Sequence, residues 1–261
     1  MKTISTLIVL IVLVTFGSAQ NAVAQESESF GAAARGNDAA ADRGIFFNRA
    51  ETIGEGNTTF NAYELFFAGL THAWSDDAQA TVNFLMPITT EWPIFILSNA
   101  KFVVTRTQNL TLALQGELSY QAQDDDSGGS FGGVVLVDYY LSPRFSVHGQ
   151  MGINTIWAGD TRDDGGEGGF DIDAGSFGLF RMVGGASYAL SDLVRLNTEV
   201  VIPGAYADGD FELVEKATLI FYGARFAGKS ISADLGFTRP LVEDAGELVM
   251  GVPWVSFAAR F

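Results

Sequence analysis

The stretch V-P-W-V-S-F-A-A-R-F, from Val252 to Phe261, decides how the rest of the chain is read. With a period of two, Val255, Phe257, Ala259 and Phe261 fall on one face, and Trp254, Ser256, Ala258 and Arg260 fall on the other. One face is apolar and the other mixed, as in a strand that separates two environments. An edge strand of a soluble β-sandwich has the same alternation, so the remainder of the chain must discriminate.

At the opposite end, Lys2 is followed by an apolar run from Leu7 to Phe16 and then by Ala22-Val23-Ala24. This pattern predicts a signal peptide over residues 1–24, cut after Ala24. The run falls short of the roughly 20 apolar residues that a membrane-spanning helix needs, and no later stretch reaches that length. A membrane location would therefore rest on strands. Cysteine is absent, which excludes a disulfide framework and thiolate metal sites, and only His72 and His148 supply imidazole. No cofactor is expected. The 30 glycines and 21 phenylalanines suit many tight hairpins and aromatic surfaces, and a net charge of −16 argues against nucleic acid as a partner. Residues 25–43 (QESESFGAAARGNDAAADR) have little to bury and are expected to form a flexible periplasmic lead. The alternative, a short plug inside a barrel, has no support in those residues.

From residue 44 the chain resolves into about twelve alternating runs, each near the ~9–11 residues of a tilted membrane strand. In the clearest, Leu110, Leu112, Leu114, Leu118 and Tyr120 face one way, and Thr111, Gln115, Glu117, Ser119 and Gln121 the other. The breaks alternate in length. Short ones occur at Ser75-Asp76-Asp77, Gln108-Asn109, Ser142-Pro143-Arg144, Ser191-Asp192 and Gly228-Lys229. Longer ones are expected at 51–57, 89–92, 124–130, 160–174, 205–210 and 241–246, and they collect acidic residues such as Glu51, Asp124, Asp164, Asp208 and Asp244. Such an acidic rim has the oxygen ligands that divalent cations prefer, although no EF-hand spacing is present.

This loop rhythm and the final strand with Phe257 and Phe261 resemble the bacterial outer-membrane β-barrels. The resemblance implies an all-β fold, a transmembrane antiparallel up-and-down barrel of about twelve strands over residues 44–261, with short periplasmic turns and longer external loops. It also implies an assembly signal at Phe257 and Phe261 for the barrel-assembly machinery. The expected surroundings are outer-membrane lipid and lipopolysaccharide, the latter bridged by divalent cations at the acidic loops.

If the apolar faces meet lipid, the polar faces line the lumen and carry charges of both signs. Reflection about the short turns sets Lys101 near Glu117, Asp138 opposite His148, Arg181 near Glu199 and Arg225 opposite Asp234; Arg195 lies with this polar set. These nine residues are the candidate pore lining. Two functions fit: a narrow passive channel for small hydrophilic solutes or ions, or a side-chain-filled structural or adhesive barrel presenting acidic loops. An enzyme fits less well. Ser146, His148 and Asp138 nominally offer a nucleophile, a base and an orienter, but the sequence context of the outer-membrane phospholipase family is missing. Tyr63, Trp74, Tyr139, Trp157, Tyr188 and Tyr206 near strand ends read as interfacial girdle residues.

Overall fold

A computed structural model describes residues 30, 37–63, 67–85, 93–123, 126–160, 177–207, 210–214, 217–241 and 251–261. The expected signal peptide and most of the acidic rim (161–176, 208–209 and 242–250) lie outside these residues.

The described residues form thirteen strands: β1 (Thr58–Tyr63), β2 (Phe67–Ser75), β3 (Ala78–Leu85), β4 (Ile94–Arg106), β5 (Leu110–Gln123), β6 (Asp126–Ser142), β7 (Phe145–Asp160), β8 (Phe177–Ala189), β9 (Val194–Ala207), β10 (Asp210–Leu213), β11 (Leu219–Phe226), β12 (Ile231–Pro240) and β13 (Val252–Arg260). Every pairing is antiparallel between chain neighbours, except that β9 reaches past β10 to β11 and β13 returns to β1. The last pairing closes the sheet, from Thr59 opposite Arg260 to Tyr63 opposite Ser256. Thirteen strands occupy twelve barrel positions. Gly204–Ala207 of β9 pair with β10 and Val194–Val201 with β11, so β10 and β11 are one interrupted strand. The interruption falls at Pro203, which has no N–H to give to the ladder and whose carbonyl accepts from Val214 N–H at 2.9 Å.

Faces follow the period-two pattern. Leu114 is 50% exposed on the outer surface, whereas its neighbour Gln115 is 3% exposed and faces inward. On β13, Val255 and Phe257 point out, and Trp254, Ser256 and Ala258 are buried inside. Trp74, Tyr139 and Tyr188 stand on the outer surface near the short-turn end, as girdle residues should. Tyr63 does not: its ring lies inside the barrel under the Arg43 guanidinium, 4.7 Å from the centroid.

Three expectations about connections and boundaries change. Residues 126–130, read as external loop, continue the β5–β6 hairpin as far as Gln123 opposite Asp126. Gly129 makes this possible. Tyr120 and Trp157 are its register partners on either side, and their rings stack across it at 6.1 Å, where a Cβ would strike Trp157 and the Ser119 carbonyl. Residues 51–57, also read as external loop, lie at the opposite end: Thr52 Oγ1 donates to the Asp76 carbonyl in the β2–β3 turn at 2.6 Å. The barrel wall begins at Thr58 rather than at residue 44.

The largest change concerns the expected flexible lead. Asp38, Ala39, Ala40, Asp42, Arg43 and Ile45 are buried inside the barrel, and after the more open Phe46–Asn48 the segment is buried again from Arg49 to Ile53. It folds as a small hairpin, with Gly44 N–H to Phe47 carbonyl at 2.8 Å and Arg49 N–H to Asp42 carbonyl at 2.8 Å. Both legs meet the short-turn end, Ala39 N–H bonding the Gly228 carbonyl and Thr52 the Asp76 carbonyl. The tip, Gly44–Phe47, reaches furthest into the lumen. Residues 38–43 are thus corrected from lead to plug, because buried wall groups supply the bonds that their own composition cannot.

Gly129→Val should push Trp157 off Tyr120 and lower barrel stability by about 1–3 kcal/mol, the usual range for overpacking. A thermal melt of the folded barrel in detergent checks this, against an unchanged melt for a substitution at exposed Gly116.

Candidate functional site

The hairpin at 38–53 is irregular backbone inside a barrel, so its N–H and C=O groups need partners other than a sheet ladder. The wall supplies them from charged side chains. Lys101, fully buried on β4, donates its three ammonium hydrogens to the carbonyls of Asp42 (3.3 Å), Arg49 (2.8 Å) and Glu51 (2.5 Å). Arg225 on β11 donates to the carbonyls of Ala40 (2.7 Å), Arg43 (3.0 Å) and Gly44. Glu199 on β9 accepts from the N–H groups of Phe46 (2.8 Å) and Phe47 (3.4 Å) at the tip. Gln79 on β3 accepts from Ile53 N–H and donates to the Asp42 carboxylate, each at 2.8 Å.

Side-chain charges complete the lock. Asp38 faces Arg225 at 3.4 Å and Arg195 at 3.6 Å, and accepts from Ser232 Oγ at 2.7 Å. Arg43 reaches Asp234 at 3.3 Å, Arg49 reaches Asp138 at 3.3 Å, and Glu51 meets Arg106 at 3.3 Å. Apolar contact is small by comparison: Ile45 packs with Val183, Val201, Phe221 and Trp254, and Ala50 with Ala113, Val134 and Leu136. Gly44 is required where it is, since a Cβ there would run into the Glu199 carboxylate and the His148 ring.

The candidate lining residues face inward, but most find other partners than expected. Arg225 and Asp234 are directly opposite and form a 2.6 Å ion pair, as the sequence suggests. Asp138 and His148 are also opposite in register, yet Asp138 pairs with Arg49 of the hairpin and His148 Nε2 lies 3.0 Å from Glu199. Lys101 faces Gln115 rather than Glu117, because a bulge between Val103 and Thr105 shifts the hairpin. Arg181 faces Pro203 rather than Glu199, because the turn centres on Asp192. Its guanidinium instead crosses the lumen to Glu117 at 2.5 Å. This pair lies beyond the hairpin tip, since Gln115, which bonds Asn48, is two residues closer to the β4–β5 turn. Arg195 holds Asp38. No period-two pattern marks Asp38, Asp42, Arg43, Arg49 and Glu51 as partners of the wall.

The arrangement does not support a nucleophilic relay. Ser146 Oγ accepts from Arg49 at 3.0 Å, Asp138 holds Arg49, and His148 turns to Glu199. Phe257 lies on the outer face with its ring 5.8 Å from Phe60, and Phe261 closes the barrel seam through paired backbone bonds with Thr58. Among the described residues no group of three or more His, Cys, Asp or Glu side chains could hold a metal ion.

A closed twelve-position barrel of antiparallel strands with an apolar outer surface and a charged interior has the architecture of a membrane-spanning β-barrel. Among solved structures it is similar to the NanC porin (8% identity, TM-score 0.44, 78% of this chain and 97% of that one). It is also similar to the KdgM porin (7%, 0.40, 78% and 95%) and to LpxR from Salmonella typhimurium (9%, 0.39, 79% and 99%). These likenesses concern barrel architecture alone. No family model matches the chain, and no curated protein does.

Lys101→Met leaves the buried carbonyls of Arg49 and Glu51 without a donor, while that of Asp42 keeps the Arg49 N–H, and should destabilise the hairpin by about 2–5 kcal/mol. Amide exchange of residues 38–53 should rise while the strand amides stay protected. Acid should act in the same place. Burial raises the Asp38 pKa, but Arg225, Arg195, Ser232 and the Ala40 N–H outweigh it and hold the group at about 2, against an ordinary 3.8. The folded value is depressed, so this contribution, about 2 kcal/mol, is complete above pH 4 and is lost as pH falls through 2. Hairpin exchange should be flat with respect to this group from pH 7 to 4 and accelerate below it.

Proposed function

We propose that the barrel is an outer-membrane channel for small hydrophilic solutes or ions, held shut over its periplasmic half by the 38–53 hairpin. The observation that carries this is how the hairpin is held. It enters and leaves by the same end, so it can withdraw without threading the chain through the barrel. Its anchors are polar bonds to wall side chains, which water can replace one by one, rather than a large apolar core. With the hairpin displaced, Lys101, Asp138, His148, Arg195, Glu199, Arg225 and Asp234 would line a passage of mixed charge below the Glu117–Arg181 pair, a constriction that selects by charge and size.

The filled lumen also favours a second function, a barrel without transport in which the same network simply completes a core around acidic external loops. Either use is compatible with export through a cleaved signal peptide, insertion read from the final strand at Phe257 and Phe261, and an outer rim bridged to lipopolysaccharide by divalent cations.

A disulfide lock separates the two. The chain has no cysteine, and Ala39 packs against Ala258. In the Ala39→Cys, Ala258→Cys double variant, planar-bilayer conductance should be abolished by oxidation and restored by a reductant, with the unlocked Lys101→Met variant open for a larger fraction of time. Identical silence of the wild type, the reduced pair and Lys101→Met would assign the barrel to the non-transporting use.

A further inference from the structure

Beside the hairpin, at the short-turn end, lies a cavity of about 240 Å³ whose lining differs from the rest of this acidic protein. Arg49, Arg144 and Arg195 border it, with Asp192 as the only carboxylate among the described residues of the lining. Ser146 of β7 and Ser187 of β8 are directly opposite in the ladder, both buried on the inner face, and set two hydroxyls side by side in its wall.

The three arginines are not fully spent within the protein. Arg144, exposed in the β6–β7 turn, forms no ion pair among the described residues. Arg195 meets Asp38 only as a 3.6 Å ion pair, and its Nε has no hydrogen-bond partner. Asp38 is itself divided among Arg225, Ser232 and the Ala40 N–H, so it neutralises Arg195 only in part. Arg49 gives Nε to Asp138 and one terminal nitrogen to Ser146, an arrangement in which Ser146 accepts and keeps its own hydrogen to donate. Guanidinium forks beside paired hydroxyl donors in a small, partly desolvated cavity match an oxygen-rich anion, since charge-assisted bonds to such groups are the strong ones.

We propose that this cavity is a binding site for a small oxyanion, a phosphate or carboxylate group on a soluble molecule, reached from the periplasmic side. Arg144 supplies the uncompensated charge at the rim, Arg195 and Arg49 flank the anion, and Ser146 and Ser187 donate from the wall. Asp192 opposes binding and limits the site to ligands that keep clear of the β8–β9 turn. The assignment stands whether or not the lumen conducts, because the cavity lies beside the hairpin in its closed position.

The test is calorimetric titration of the refolded full mature chain with inorganic phosphate at low ionic strength, in nanodiscs of zwitterionic lipid. Saturable binding at one site per chain is expected. Arg144→Ala, in an exposed turn, should weaken it about tenfold, the effect of losing one charge-assisted bond, without moving the thermal melt. Asp192→Asn should tighten it, and Ser187→Ala should weaken it. Absence of saturable binding, or affinity unchanged in both Arg144→Ala and Ser187→Ala, would overturn the site. Anionic phosphatidylglycerol in the nanodisc should leave the affinity unchanged; displacement of phosphate by the lipid would overturn assignment to a soluble ligand.

Discussion

A backbone carbonyl buried inside a membrane barrel must have a donor, and this requirement organises the whole interior. The hairpin at 38–53 brings irregular main chain into the lumen, where no strand edge is free to pair with it. Lys101 and Arg225 each answer three of its carbonyls, and Glu199 answers two of its N–H groups. The wall charges therefore serve the plug before they serve each other. Asp138, Asp234 and Arg195 then neutralise the charged side chains that the hairpin carries in with it.

This mode of attachment shapes dynamics. Strand pairing runs from β1 around to β13 and back to β1, with only the short β10 paired on one side among the described residues, so the wall is held as a closed ring. The hairpin has small apolar footholds at Ala39–Ala40, Ile45 and Ala50, and is otherwise tied by polar bonds whose net worth against water is modest individually. Removing one partner is nonetheless severe, because it strands a buried charge. Stability is thus split between a rigid wall and an insert that can move as a unit. The oxyanion cavity sits on the boundary between the two, with Arg49 on the insert and Arg195, Ser146 and Ser187 on the wall.

Barrel closure also explains the local irregularities. Pro203 on β9 breaks the ladder at one point, and the chain accommodates it by splitting the neighbouring strand into β10 and β11 instead of losing the position. Gly129 lets Tyr120 and Trp157 meet over the main chain, which turns a glycine-rich stretch with the look of a loop into ordered hairpin. In each case one residue type sets a local geometry, and the surrounding sheet absorbs it.

The sequence by itself determined the class of fold, the inward and outward faces and the two-faced character of the last strand. Those properties follow from a period of two imposed by strand geometry and by the contrast between lipid and lumen, both legible in single runs such as Leu110–Gln121. It also identified the inward charges, and in Arg225–Asp234 a true cross-strand pair. The plug and the remaining pairings were decided by tertiary structure alone. Arg43 finds Asp234 and Asp38 finds Ser232 at separations of nearly two hundred residues, and no local period encodes such contacts. A bulge at Val103–Thr105 and a turn centred on Asp192 shifted two of the four expected partners, and long arginine side chains crossed the lumen to others. A segment that looks unable to fold alone becomes ordered when a surrounding wall supplies partners for the backbone groups and charges that it would otherwise leave unpaired.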